Sequence, residues 1–117
     1  MKENNIVQKK SYYFALAIIK LCRSLADGKK ERNLLNQLFR SGTSIGANIE
    51  EAIGGQSRKD FNAKLYIAYK EARETHYWLR LLRDANFVEP ITANVLLEQC
   101  NELLKLLGSI LKTLRSR

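Results

Sequence analysis

Phe61, Leu65, Ala68, Ala72, Thr75, Leu79 and Leu82 follow one another in alternating steps of four and three. Only an α-helix brings positions so spaced onto one face, because a strand turns its side chains over every second residue. The register is unbroken over six steps, so residues 57–85 are predicted to form one long helix with a buried stripe. A helix with one apolar face has to cover it against other elements, and the rest of the chain supplies more of the same kind.

Leu35, Leu38, Gly42, Ile45, Ile49 and Ala52 keep the same alternation and predict a helix over 31–53, closed by Gly54-Gly55. Phe14, Ile18, Leu21 and Leu25, widened by Ala17 and Cys22, predict a first helix over 6–26, stopped at Asp27-Gly28 and joined to the second by Lys29 and Lys30. Leu96, Cys100, Leu103, Leu107, Ile110 and Leu114, flanked by Leu97, Leu104 and Leu111, predict a fourth helix over 91–115. Its stripe is wide enough for burial on two sides, against its own chain and against another subunit. Ser57 with Asp60 resembles a capping box at the start of the third helix, and Asn86 and Pro90 mark the break after it. Helices of about 20–30 residues with short connections predict an all-α fold. Its expected form is one antiparallel up-down-up-down four-helix bundle over residues 1–117.

The composition narrows the function classes. Apolar runs such as Phe14 to Ile19 are far shorter than the ~20 residues a membrane crossing needs, and the N-terminus lacks a signal-peptide pattern. A cytoplasmic location is therefore expected. Cys22 and Cys100 have no metal-ligand spacing and are expected to be buried, reduced thiols. His76 is the only histidine, and Glu74 and Glu71 lie two and five residues before it, so the Glu-x-x-His pair of a ferritin-like metal site is missing. No cofactor, metal or catalytic group is predicted.

Two groups of residues invite a functional reading. Gly42 and Gly46 form a G-x-x-x-G flanked by Ser41, Ser44 and Ala47, inside a helix that each glycine weakens by roughly 1 kcal/mol. A thin face of that kind lets another backbone approach, either within the chain or from a second subunit. A phosphate cradle is disfavoured, since no Gly-Lys-Ser/Thr follows and no strand precedes. In the same stretch Asn48 and Glu51 are expected to make buried polar contacts to the third helix. Glu50, Glu51, Glu71 and Glu74 are expected to pair with Lys70, Arg73 and other cations.

On the third helix Tyr66, Lys70, Arg73, Tyr77 and Arg80 share a face beside the apolar seam, with Trp78 on another. Cations interleaved with aromatics can follow a phosphate backbone and stack bases, and the same residue types are favoured at protein interfaces. The net charge of +8, spread along the chain without a basic tail, suits an anionic partner.

The stretch from Leu38 to Ile49, with Glu51-Ala52, Ser57 to Phe61, Lys70 to Thr75 and Tyr77-Trp78-Leu79, resembles the four-helix-bundle family first recognised as reading frames within 23S ribosomal RNA intervening sequences. That resemblance covers nearly the whole chain. It implies a ring-like homo-oligomer, with a pentamer favoured, and the ribosomal label the family carries reflects gene location. The chain is also similar to the accessory variability determinant of diversity-generating retroelements, a basic pentameric barrel that works with a reverse transcriptase and nucleic acid. Two functions are therefore expected in turn. One is a non-enzymatic oligomer that binds structured RNA through basic surface, with Gly42, Ser44, Gly46, Asn48, Glu51, Glu74 and Trp78 packing helices or subunits. The other is a scaffold that docks a protein such as a reverse transcriptase.

Overall fold

The structure, a computed structural model, describes residues 2–26 and 32–115. The expected stop at Asp27-Gly28 and the Lys29-Lys30 connection lie outside the described residues. Four helices make up the described chain: α1 (Lys2–Leu25), α2 (Arg32–Ile53), α3 (Arg58–Asp84) and α4 (Pro90–Arg115), with no strand among the described residues.

α1 begins a turn earlier than the expected residue 6. Its first residues are polar, so apolar periodicity cannot reveal them, yet Val7 is already buried in the core. α3 starts where the capping pattern predicts: Ser57 is extended at φ −143° and its Oγ accepts the Asp60 N–H at 3.1 Å. At the other end Asn86 takes φ 68°, a left-handed conformation Asn tolerates better than most residues. The Phe87 and Val88 amides then turn back to the Leu82 carbonyl at 2.9 and 3.2 Å. Pro90 opens α4, a place where its missing N–H is harmless.

Packing runs α1 to α2, α2 to α3, α3 to α4 and back from α4 to α1. The predicted seam of α3 is the core: Leu65, Ala68, Ala72, Thr75, Leu79 and Leu82 are all buried, with Phe61 half-buried at the end. Ile18, Leu38, Ile45, Ile49, Leu103 and Leu107 meet them from the other helices. The broad stripe of α4 is used within the chain, since Leu97 is buried and Leu104 and Leu111 pack half-buried against the same core.

α1 packs tightly against α2 at its two interior glycines. A Cβ at Gly42 would stand 2.9 Å from Cγ1 and Cγ2 of Ile18, and one at Gly46 would stand 3.3 Å from Oγ of Ser11. Both glycines therefore face α1 of their own chain. The hydroxyls beside them are met locally: Ser44 donates to the Arg40 carbonyl at 2.6 Å and Thr43 to the Phe39 carbonyl at 2.8 Å. Asn48 behaves in the same way, donating to the Ser44 carbonyl at 2.8 Å instead of reaching α3. Glu51 does reach α3, but at the surface, where it accepts from Lys64 at 3.2 Å. Short side chains on a helix find their own preceding carbonyl first, and this is why the expected buried contacts fall elsewhere.

The buried polar contact between α2 and α3 is Ser41 with Thr75, both fully buried, their hydroxyl oxygens 2.9 Å apart. Thr75 Oγ1 also lies 2.7 Å from the Glu71 carbonyl, while Ser41 has only a long 3.4 Å contact to the Leu38 carbonyl. Removing the threonine hydroxyl alone leaves the serine poorly satisfied. Thr75→Val is therefore expected to cost about 1–2 kcal/mol, and the double variant Ser41→Ala/Thr75→Val to be more stable than Thr75→Val in chemical denaturation.

Candidate nucleic-acid interface

The residues that α3 turns away from its seam form a continuous exposed stripe. Tyr66 and Tyr77 are 54% and 47% exposed despite their size, and Lys70, Arg73 and Arg80 are exposed between and beyond them. Lys70 Nζ sits 5.9 Å from the Tyr66 ring centre and Arg80 Cζ 5.7 Å from that of Tyr77, so each tyrosine lies beside a cation at helical spacing.

The acidic residues nearby are engaged with other partners. Arg40 of α2 donates to Glu71 at 3.1 Å and to Glu74 at 2.8 Å. Glu74 also accepts from the half-buried Trp78 indole at 3.2 Å, and Trp78 stands edge-on to Tyr77 with ring centres 5.2 Å apart. Gln8 of α1 donates to Glu50 at 2.9 Å. The glutamates thus do tie α2 to α3, but through Arg40 and Lys64, not through Lys70 and Arg73. As a result Lys70, Arg73 and Arg80 form no ion pair within 4 Å among the described residues, although the Arg80 charge also acts on Asp84, which is held by Arg83 at 2.8 Å.

Between α3 and α4 the stripe borders a shallow groove where Arg73, Glu74, His76, Tyr77 and Arg80 face Asn101 and Leu104. Burial first, and the Arg80 charge next, push the His76 imidazole below its usual value, so at neutral pH it is neutral and the cations supply the charge. Further along the same two helices, beside Tyr66, lies a second hollow that also takes in Asn62, Tyr69, Gly108, Lys112 and Arg115. Sequence reasoning missed these residues. One signal was available, since Asn62 lies four residues before Tyr66 and extends the stripe by a turn, but the α4 side depends on how the helices meet.

Gly42, Ser44, Gly46 and Asn48 lie apart from this face, on the α1 side of α2 or bonded within it. Cys22 and Cys100 are buried and unbridged, and burial pushes their thiols up to about 11 and about 12. Both remain protonated at neutral pH, which makes them poor nucleophiles. No group of three or more His, Cys, Asp or Glu gathers in metal-binding fashion among the described residues, and no described helix is long and apolar enough to cross a membrane.

These features define a class: a small basic four-helix protein with one cationic, aromatic helix face. The chain belongs to the 23S rRNA-intervening sequence protein family, whose profile matches residues 3–109. It is similar, at 45% identity and a TM-score of 0.90, to a crystal structure from Bacteroides thetaiotaomicron described as a protein of unknown function from the S23 ribosomal protein family, over 94% of this chain and 98% of that one. No curated protein matches it.

Proposed function

We propose that the chain is a single-domain, non-enzymatic cytoplasmic protein. Its helices alternate up and down, its copies assemble into a ring, and the α3 face of each copy binds structured RNA. The observation that carries the nucleic-acid reading is the stripe of three exposed cations outside any short ion pair among the described residues, set beside two half-exposed tyrosines. Guanidinium and ammonium groups outside ion pairs are available to phosphate, and the tyrosine faces offer stacking surface.

The alternating order is supported by contacts in which residue numbers fall on one helix as they rise on the next. Ser11 lies against Gly46 and Ile18 against Gly42, Arg40 meets Glu74 and Glu51 meets Lys64. Self-association is supported by apolar side chains left in water on the outer sides of α1 and α4, with Tyr13 62% and Ile91 78% exposed. The resemblance favours a pentamer, and a ring repeats the +8 charge of each subunit around one surface.

A fluorescein-labelled RNA hairpin tests the reading. Three phosphate contacts per engaged subunit give a slope of log K against log salt of about −2.7. That slope amounts to about a fortyfold loss of affinity between 50 and 200 mM salt. Binding that is absent at 50 mM, or that does not change with salt, would rule the reading out.

A further inference from the structure

The cavity beside Tyr66 has a volume of about 550 Å³, within the range of small-molecule sites. Besides the apolar Leu111 and Leu114, its walls combine three kinds of group. Tyr66 and Tyr69 supply aromatic surface, Lys112 and Arg115 supply positive charge, and Asn62 supplies a polar edge. The Asn62 Oδ1 is buried and has no hydrogen-bond partner, although buried acceptors are almost always paired. Asn62 itself lines the cavity, so a turn of its side chain presents this acceptor to a donor there.

Gly108 adds an independent sign. A glycine inside α4 weakens the helix, yet a Cβ there would meet only Cε1 of Tyr69, at an ordinary 3.7 Å. Helix packing therefore does not require the glycine. What its missing side chain does is leave the cavity floor open.

We infer that this cavity holds one unpaired, amino-bearing nucleobase, its ring against Tyr66 and Tyr69, its amine donating to Asn62 Oδ1, and its phosphate at Arg115 and Lys112. Adenine, cytosine and guanine carry an exocyclic amine that such an acceptor can take, and uracil does not. An anionic group without a ring would leave the aromatic walls and Asn62 unused, and an apolar ligand would leave the cations and Asn62 unused. The inference rests on the nucleic-acid reading above and deepens it: the stripe follows the backbone, and the cavity at its end captures a base. The same chemistry is offered by an unpaired nucleotide of an RNA and by a free mononucleotide.

Two titrations of the full chain separate these sources. In the first, ¹H–¹⁵N spectra are followed as AMP or ribose 5-phosphate is added. AMP is expected to shift the resonances of Asn62, Tyr66 and Tyr69, with ribose 5-phosphate weaker by about tenfold, the value of one stacked base. In the second, a labelled RNA duplex with an unpaired adenine overhang is expected to bind about tenfold tighter than the same duplex with blunt ends. Gly108→Leu, which fills the cavity, and Asn62→Leu, which removes the acceptor, should each erase that tenfold difference while blunt-duplex binding keeps its salt dependence. If one of these variants fails to fold, the other decides. Equal affinity for the two duplexes together with no response to AMP would overturn the inference and leave the surface reading standing. A response to AMP without binding of either duplex would assign the cavity to a free mononucleotide and overturn the RNA reading instead.

Discussion

Gly42→Leu is expected to destabilise the chain by about 3 kcal/mol and to lower its thermal midpoint by roughly 10–20 °C. The first added carbon already lies 2.9 Å from both Cγ atoms of Ile18. Those atoms sit on a β-branched, fully buried side chain with little rotamer freedom. Ile18 cannot turn away, so α1 and α2 must separate. Alanine tests the same contact more gently: it gains roughly 1 kcal/mol of helix propensity against about 1–3 kcal/mol of overpacking, a net loss of about 1 kcal/mol. In an Ile18→Ala background the obstacle is gone, and Gly42→Ala should change sign and become stabilising. Gly46→Ala meets the Ser11 hydroxyl at 3.3 Å and the Ser11 backbone oxygen at an ordinary 3.5 Å, and should fall within about 1 kcal/mol of the parent. Circular dichroism melts of these variants decide the matter. A Gly42→Leu chain with the parent midpoint would show that the glycine does not set the α1–α2 distance.

Legibility of this fold from sequence followed the strength of the periodic signal. In α3 the apolar register was enough, because period and burial are the same fact for a helix, and every position from Leu65 to Leu82 on the seam is buried. The register also carried α2 through Gly42 and Gly46, where propensity alone argues against a helix. What the glycines touch was not legible: a thin helix face says that something approaches, but Ile18 and Ser11 are chosen by how α1 lies across it. Polar partners were legible only in kind. Glu71 and Glu74 were expected to find cations, but which ones depends on helix offset, and that offset brings Arg40 to them and leaves Lys70 and Arg73 facing water. The buried Ser41–Thr75 pair escaped because a hydroxyl at a seam position looks like a weak core residue until its partner is seen. On the α3 face the tyrosines and cations could be read from spacing. The pairing of Glu71 and Glu74 with Arg40, which leaves the α3 cations outside ion pairs, could not.

Replacing Lys70, Arg73 and Arg80 together by alanine is expected to weaken RNA binding by about a hundredfold at 0.15 M salt for each subunit engaged. It should also make the salt slope shallower by about 2.7, because three phosphate contacts are lost and their counterions are no longer released. The subunit charge falls only from +8 to +5, so a chain attracted to RNA by its overall charge alone would lose much less. Four of the chain's other cations set the internal control: Lys10, Arg40, Lys64 and Arg83 are already paired with carboxylates. An Arg83→Ala variant, on the same helix but bound to Asp84, should therefore leave the slope nearly unchanged. Folding should survive the triple change, since all three side chains are exposed and such substitutions usually stay within about 0.5 kcal/mol each. Light scattering then separates the two uses of this face. If the oligomer keeps its mass while RNA affinity collapses, the stripe contacts phosphate. If the variant falls apart into monomers, the same tyrosines and cations lie between subunits, and the RNA surface has to be sought elsewhere on the ring.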